Sequence, residues 1–384
     1  MKPIQPMMNR KRRSAGFTLL ELSIAITLGL IILVGVTYAY LGNRQTYVMN
    51  EEMARAHESA RVALDVLGNH LRLGGGLVCQ RNVDLWNAPN FLVAVSGDDM
   101  AKDFVDRVNK GKVVEVASSL TAVAGLDGKK PSLRVYTLSS SGVAAVDVAE
   151  AAGTDITVGG GITPHKLYLH ATGGSSSGLQ NPYMLINDCD KAVLFKAKSI
   201  TSLDTAGGKI TLNGTGLDSL NSTVDRAVFG RGAQVIGMLG GADAGSTSLA
   251  QVFEVRDSGR VDLTGQPIKS LFHNSEELVE GVEAFRVCVD GDRDGTYGLK
   301  NLESVTDEKE WQKIKQVQVD LVLASIRPRV LPDKVKANIT LCGDDTPLTA
   351  PEDYRLRRLF STSFALRSRI GLVEKLDDEE EATP

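Results

Sequence analysis

Ser14-Ala15-Gly16-Phe17-Thr18-Leu19-Leu20-Glu21-Leu22 divides two unlike stretches of this chain. Upstream lie Lys2, Arg10, Lys11, Arg12 and Arg13, and no acidic residue precedes Glu21. Downstream, Phe17 to Leu41 is almost continuously apolar, and Glu21 is the one charged side chain within it. A helix of about 25 residues is roughly 37 Å long, enough to cross a hydrocarbon core of about 30 Å with some tilt. The run is too long for the apolar region of a signal peptide, and Tyr38-Ala39-Tyr40-Leu41 is not a small-residue cleavage site. The basic leader predicts a cytoplasmic N-terminus, with everything after Leu41 across the membrane. A carboxylate close to the membrane costs a few kcal/mol, and such groups are usually paired. An ordinary anchor needs none, so Glu21 predicts a specific partner.

The helix is expected to continue past the membrane. Met53, Ala56, Ala60, Leu64, Leu67 and Leu71 recur at steps of three and four, with Glu51, Glu52, Arg55, Glu58 and Arg61 largely between them. This stripe would lie on an apolar surface. Gly74-Gly75-Gly76 ends it, so one helix is predicted from Phe17 to Leu73.

The last third of the chain alternates. Phe285, Val287 and Val289 oppose Arg286 and Cys288; Val317, Val319, Leu321 and Leu323 oppose Gln316, Gln318 and Asp320; Phe364, Leu366 and Ile370 oppose Arg367 and Arg369. These read as half-buried antiparallel strands, at Gly281–Val289, Gln316–Leu323 and Ser363–Ile370, the natural partners of the helix. Between Val78 and Phe272 short β-like runs occur at Ser132–Leu138, Lys166–His170, Ala192–Lys196, Lys209–Leu212, Ala233–Met238 and Gln251–Val255, separated by Gly/Ser/Asp clusters.

The chain has 384 residues and a formal net charge of -4, which excludes a bulk-basic nucleic-acid binder. Asp377-Asp378-Glu379-Glu380-Glu381 is an acidic tail, expected to be disordered. Cys79, Cys189, Cys288 and Cys342 all lie beyond the span, in a compartment that permits disulfides. Four cysteines allow three pairings. Proximity in sequence favours Cys79 with Cys189 and Cys288 with Cys342, and no C-x-x-C spacing suggests zinc.

Gly-Phe-Thr-Leu-Leu-Glu, behind a basic leader and before a long apolar helix, resembles the prepilin motif of type IV pilins and type II secretion pseudopilins. The segments Leu278 to Phe285, Val289 to Gly295 and Arg357 to Arg367 resemble PilW-type minor pilins. The resemblance covers the N-terminal fifth and the C-terminal third, and the middle matches no family by eye. It implies cleavage after Gly16 by a prepilin peptidase, methylation of the new N-terminal Phe17, and Glu21 as the carboxylate that meets a neighbouring subunit's N-terminus. Many major pilins break this helix with a proline; here Gly29 and Gly35 stand instead, which loosen a helix less sharply.

Other candidates for chemistry are weaker. Asp290-Gly291-Asp292-Arg293-Asp294-Gly295 spaces oxygen ligands like the first half of a calcium loop, but the twelfth position is Asn301 and the flanks read as strands. An acidic β-turn accounts for the same residues, so calcium stays a structural option and no other cofactor is expected. Gly174-Ser175-Ser176-Ser177-Gly178 matches a nucleophile elbow only formally, inside a Gly/Ser tract. His57 and His70 are read on the exposed helix, His165 and His170 around a strand, and His273 in a loop. Arg355, Arg357, Arg358, Arg367 and Arg369 are read as a solvated strand face or a contact to an acidic subunit, so direct nucleic-acid binding is not expected.

The expected fold is α+β: a type IV pilin fold with a long N-terminal helix on an antiparallel sheet and an elaborated β-rich insert. The expected parts are a cleaved leader (1–16), a transmembrane half-helix (17–41), an amphipathic half-helix (42–74), the β-rich region (75–275), the pilin-like sheet (276–372) and the tail (373–384). The expected function is a non-enzymatic minor pilin of a priming or tip complex, serving pilus biogenesis, twitching motility, adhesion or DNA uptake. Its partners would be other minor pilins, the major pilin, the prepilin peptidase and the inner-membrane assembly platform. Its location would be the bacterial inner membrane, with a periplasmic head, and then the filament. The alternatives are a minor pseudopilin of type II secretion or a membrane-anchored calcium-dependent adhesin.

Overall fold

The computed structural model describes residues 18–75, 92–95, 97–116, 126, 132–137, 146–159, 162–172, 179, 182–188, 191–201, 207–213, 217, 229, 232–238, 249–274, 276–293, 296–344 and 346–366. The chain falls into two compact units, Met1–Glu51 and Glu52–Pro384; the second is called the head below. Helix α1 (Leu19–Leu73) begins in the first unit and runs unbroken through Gly29 and Gly35.

In the head, α1 buries Ala60, Ala63, Leu67 and Leu71, with Ala56 and Leu64 packed beside them. Steps of three and four residues keep these on one face. Gly68 is buried on the same face, and a Cβ there would sit 2.3 Å from Cε1 of Phe364. A glycine costs about 1 kcal/mol in a helix interior; here it lets the helix axis approach an aromatic ring. Glu52, expected among the residues flanking the stripe, is instead only 2% exposed and pairs with Arg327 at 3.2 Å. Gly75, at φ +64°, ends the helix by donating to the Tyr136 carbonyl.

The remaining elements follow in order. They are β1 (Leu92–Ala94), α2 (Asp99–Asn109), β2 (Val114–Val116), β3 (Ser132–Val135), β4 (Val146–Ala152), β5 (Asp155–Val158), α3 (Ile162–Thr172), β6 (Tyr183–Asn187) and β7 (Ala192–Ile200). Then come β8 (Gly208–Leu212), β9 (Gln234–Gly237), β10 (Gln251–Val261), β11 (Pro267–His273), β12 (Glu276–Glu280), β13 (Val282–Arg293) and β14 (Thr296–Asn301). The chain closes with α4 (Glu308–Lys313), β15 (Gln316–Ala324), β16 (Asn338–Ile339), β17 (Leu348–Thr349) and β18 (Arg357–Ala365).

Two antiparallel sheets share a core with α1. One has the order β12-β11-β10-β3-β2, the other β14-β13-β15-β18. Leu133, Phe253 and Leu271 come from the first, Phe285, Val287, Val319, Leu321 and Phe364 from the second. The chain crosses between them at Gly281, where φ is +81° and a Cβ would lie 2.7 Å from the Ala324 carbonyl oxygen. Only glycine fits both demands.

A seven-stranded sheet, ordered β1-β7-β6-β9-β4-β5-β8, closes on itself through an added β7–β8 pairing. Strands β4 and β7 make the corners. The first half of β7 pairs with β6 and the second half with β8, across a register shift between Ala197 and Ser199. Such a bulge bends a strand from one sheet layer into another. Its interior holds Ile156, Phe195, Ile210 and Val235, together with Leu167 and Ala171 of α3. This barrel-like unit lies within the stretch read from sequence as β-rich.

Four expectations need correction. Lys166–His170 is helical, not a strand. The alternation around Leu167 and Leu169 mimicked a strand, whereas Pro164 sits in the first turn of α3, where its missing N–H is harmless. His273 closes β11 rather than sitting in a loop. The strand expected at Ser363–Ile370 begins at Arg357, and residues 367–370 lie outside the described residues. Finally, β13 and β15 are buried on both faces, because residues 326–350 fold over the outer one and bring Leu341 against Ala284 and Val322.

Candidate assembly site

At the start of α1, Thr18 and Glu21 form a reciprocal cap. The Thr18 backbone N–H and hydroxyl both donate to Glu21 Oε2 at 3.1 Å, and the Glu21 N–H donates to the Thr18 hydroxyl at 3.2 Å. This is a capping box, which satisfies N–H groups that the first turn leaves without partners. The spacing of Thr and Glu by three residues is its sequence signature, yet reading Glu21 only as a partner's carboxylate overlooks it. Gly16 and Phe17 lie outside the described residues.

The helix behind the cap exposes Leu22, Ile24, Ile31, Leu33 and Val36. Its aliphatic hydroxyls bond back to the helix: Ser23 donates to the Leu20 carbonyl, Thr27 to those of Ser23 and Ile24, and Thr37 to that of Leu33. Such back-bonding removes the serine and threonine hydroxyls from the polar surface a membrane would have to solvate. It is long and apolar enough to cross a membrane.

In the head, the sheet of β13, β15 and β18 carries a disulfide-held cover. Cys288 on β13 is bonded to Cys342, with their Cα atoms 6.0 Å apart, as proximity in sequence suggested. Asp320 on β15 accepts from the Cys342 N–H at 2.7 Å and from the Ser361 hydroxyl at 2.5 Å. Arg286 pairs with Asp344 at 2.6 Å. Disulfide, carboxylate and ion pair together clamp the covering segment to the sheet. Cys79 and Cys189 lie outside the described residues.

Residues 255–368 match the family model of the type IV pilus-assembly protein W, and residues 11–37 match the prokaryotic N-terminal methylation motif. Over these two segments the chain is similar to PilW-type minor pilins. The first match spans β10 to β18 and so takes in both strands and clamp; the second brackets the capping box. No curated protein and no solved structure matches the chain.

The remaining candidate residues fall as follows. Asp290 Oδ1 accepts the backbone N–H groups of Lys315 and Gln316, at 3.0 and 2.9 Å. It thus fixes the start of β15. Asp292 lies opposite Tyr297 in the β13–β14 hairpin, and Asp294 lies outside the described residues. Among the described residues no group of three or more His, Cys, Asp or Glu side chains could hold a metal. The Gly/Ser tract at 174–178 is outside the described residues.

Two of the arginines read as a solvated face or an acidic-subunit contact are instead engaged within the head. Arg355 pairs with Asp262 and donates to the Ser325 carbonyl, and Arg357 pairs with Glu283 and Asp353, each at 2.6 Å. Arg358 is exposed, and Arg367 and Arg369 lie outside the described residues.

The histidines also regroup. His57 meets the edge of Phe360, while His70 lies 4.8 Å from His273, which stacks on Phe253. His70 therefore faces the sheet, not solvent. Burial first, and His273 second, lower its pKa from 6.5 to about 4; burial also lowers that of His273, against the pull of Glu276. The neutral rings are the folded form. Their stabilisation is complete above the ordinary value of 6.5 and is lost as pH falls through it toward about 4. Urea denaturation at pH 7 and pH 4.5 is expected to show a His70 contribution on the order of 2 kcal/mol, discounted for partial exposure. His70→Phe should remove that share of the pH dependence; an unchanged dependence would refute it.

Proposed function

We propose that this chain is a non-enzymatic structural subunit that enters a type IV pilus as part of its priming or tip complex. A peptidase removes the leader after Gly16, and Phe17 becomes a methylated N-terminus. The basic leader keeps that end cytoplasmic, the apolar half of α1 crosses the inner membrane, and the head lies in the periplasm. During assembly Glu21 leaves its cap on Thr18 to meet the N-terminal amine of a neighbouring pilin. Opposite charges in low dielectric make that pairing selective.

The observation that carries this reading is Glu21 itself: one carboxylate, inside a methylation motif, at the head of an exposed apolar helix. The PilW match supports a pilus over a secretion filament. The partners that follow are the other minor pilins, the major pilin and the assembly platform. Intact-mass analysis of chain purified from membranes should give a mass beginning at N-methylated Phe17. A mass that still includes residues 1–16 would sink the reading.

A further inference from the structure

The hairpin between β10 and β11 turns through Asp262-Leu263-Thr264-Gly265-Gln266. Leu263 is 92% exposed and Val261 63%, the highest values among large apolar side chains of the described head. Exposure here does not come from looseness. Asp262 Oδ1 accepts from the Thr264 N–H and hydroxyl, both at 2.7 Å, and from the Gln266 N–H at 2.9 Å. Its other oxygen pairs with Arg355. A carboxylate whose side chain is fully buried thus holds a turn that pushes two aliphatic groups into solvent.

The same framework carries a third. The Arg355 N–H donates to Asp353 Oδ1 at 2.9 Å, and the Asp353 carbonyl accepts from the N–H of Val335, whose residue is 44% exposed. Arg329, Lys334 and Lys336 are exposed around Val335, and Asp333 and Glu352 are the exposed acids of the same segments. Arg327 joins this framework to Glu52, the first residue of the head.

We propose that Leu263, Val261 and Val335 form a shallow insertion surface that enters the interfacial layer of a phospholipid bilayer. The covalent tether makes the bilayer available. From Leu41, the end of the apolar run, to Glu52 is eleven residues, at most about 38 Å of chain in any conformation. The chemistry favours lipid over protein. A protein interface centres on a packed apolar patch with aromatic anchors. Separate aliphatic tips, ringed by threonine, glycine and long cationic side chains that can snorkel, suit the headgroup boundary. Exposed charges of both signs flank the tips, so apolar contact supplies the attraction and its salt dependence is weak.

Full chain carrying Leu263→Trp, in nanodiscs of phosphatidylcholine with or without brominated acyl chains, tests this. The emission of Trp86 and Trp311 is subtracted using the unsubstituted chain. Co-elution with the nanodisc reports the anchor separately, so failure to anchor is told apart from failure to insert. Emission from position 263 should shift to shorter wavelength and be quenched by the brominated lipid, in low and high salt alike. Leu169→Trp, on α3, should be unquenched. Unquenched emission from position 263 in anchored chain overturns the proposal. So does a blue shift that arises only when other pilus subunits are added, which would mark a protein interface.

Discussion

Glu21→Ala is expected to leave the chain in the membrane but to abolish its incorporation into the pilus. The substitution removes two things at once. One is the charge available to a neighbouring amine; the other is the reciprocal cap with Thr18, in which Glu21 Oε2 accepts two hydrogen bonds. Loss of a cap costs about 1 kcal/mol and frays one turn. Loss of a charge partner in low dielectric leaves the neighbouring amine unpaired, which costs several kcal/mol, about 3–5 by analogy with broken buried pairs. Glu21→Gln separates them, because glutamine can still complete a capping box but carries no charge. Shed pili should lack both variants, while membrane fractions should hold both at the level of the unsubstituted chain. Normal incorporation of the Gln variant would reduce Glu21 to a helix cap.

Breaking the Cys288–Cys342 bond should have the largest effect on stability. The two cysteines are 54 residues apart in sequence. In the chain-entropy picture, closing a loop of that size stabilises the fold by about 4 kcal/mol. The loss would not stay local. Asp320 accepts from the Cys342 N–H, and Gly343, at φ +72°, fits where a Cβ would meet Asn301 N at 2.8 Å. The covering segment is thus registered by the disulfide, and its release exposes Leu341, Ala284 and Val322. Cys288→Ser with Cys342→Ser should lower the melting temperature of the head on the order of 10 °C, and a reductant should do the same to the unsubstituted chain. A shift below about 2 °C would show that the covering segment holds without its staple.

Much of the apolar helix and of the sheet in the head was legible because local patterns carried them. A 25-residue, almost continuously apolar run behind a basic leader needs no tertiary contact to be read, and neither does a stripe at steps of three and four. Strands β13 and β15 announced themselves by alternation, yet their outer faces are buried. Alternation reports which residues differ in polarity, not whether a distant segment returns to cover Arg286 and Asp320. The strand reading of 166–170 failed for a related reason: over five residues a helix and a strand pattern differ little, and only Pro164 pointed the right way.

The sequence alone determined the basic leader, the place of Glu21 and the helix that bears it, since these rest on residues within about one helical turn or one uninterrupted run of each other. Tertiary structure alone decided what depends on meetings across long stretches of chain. His70 faces His273, Gly68 admits Phe364, and Glu52 is covered and paired by Arg327. Strands β4 and β7 bend to close a barrel. Each of these pairings is fixed by side-chain volume and hydrogen-bond geometry in the packed core, and no periodicity along the chain encodes them.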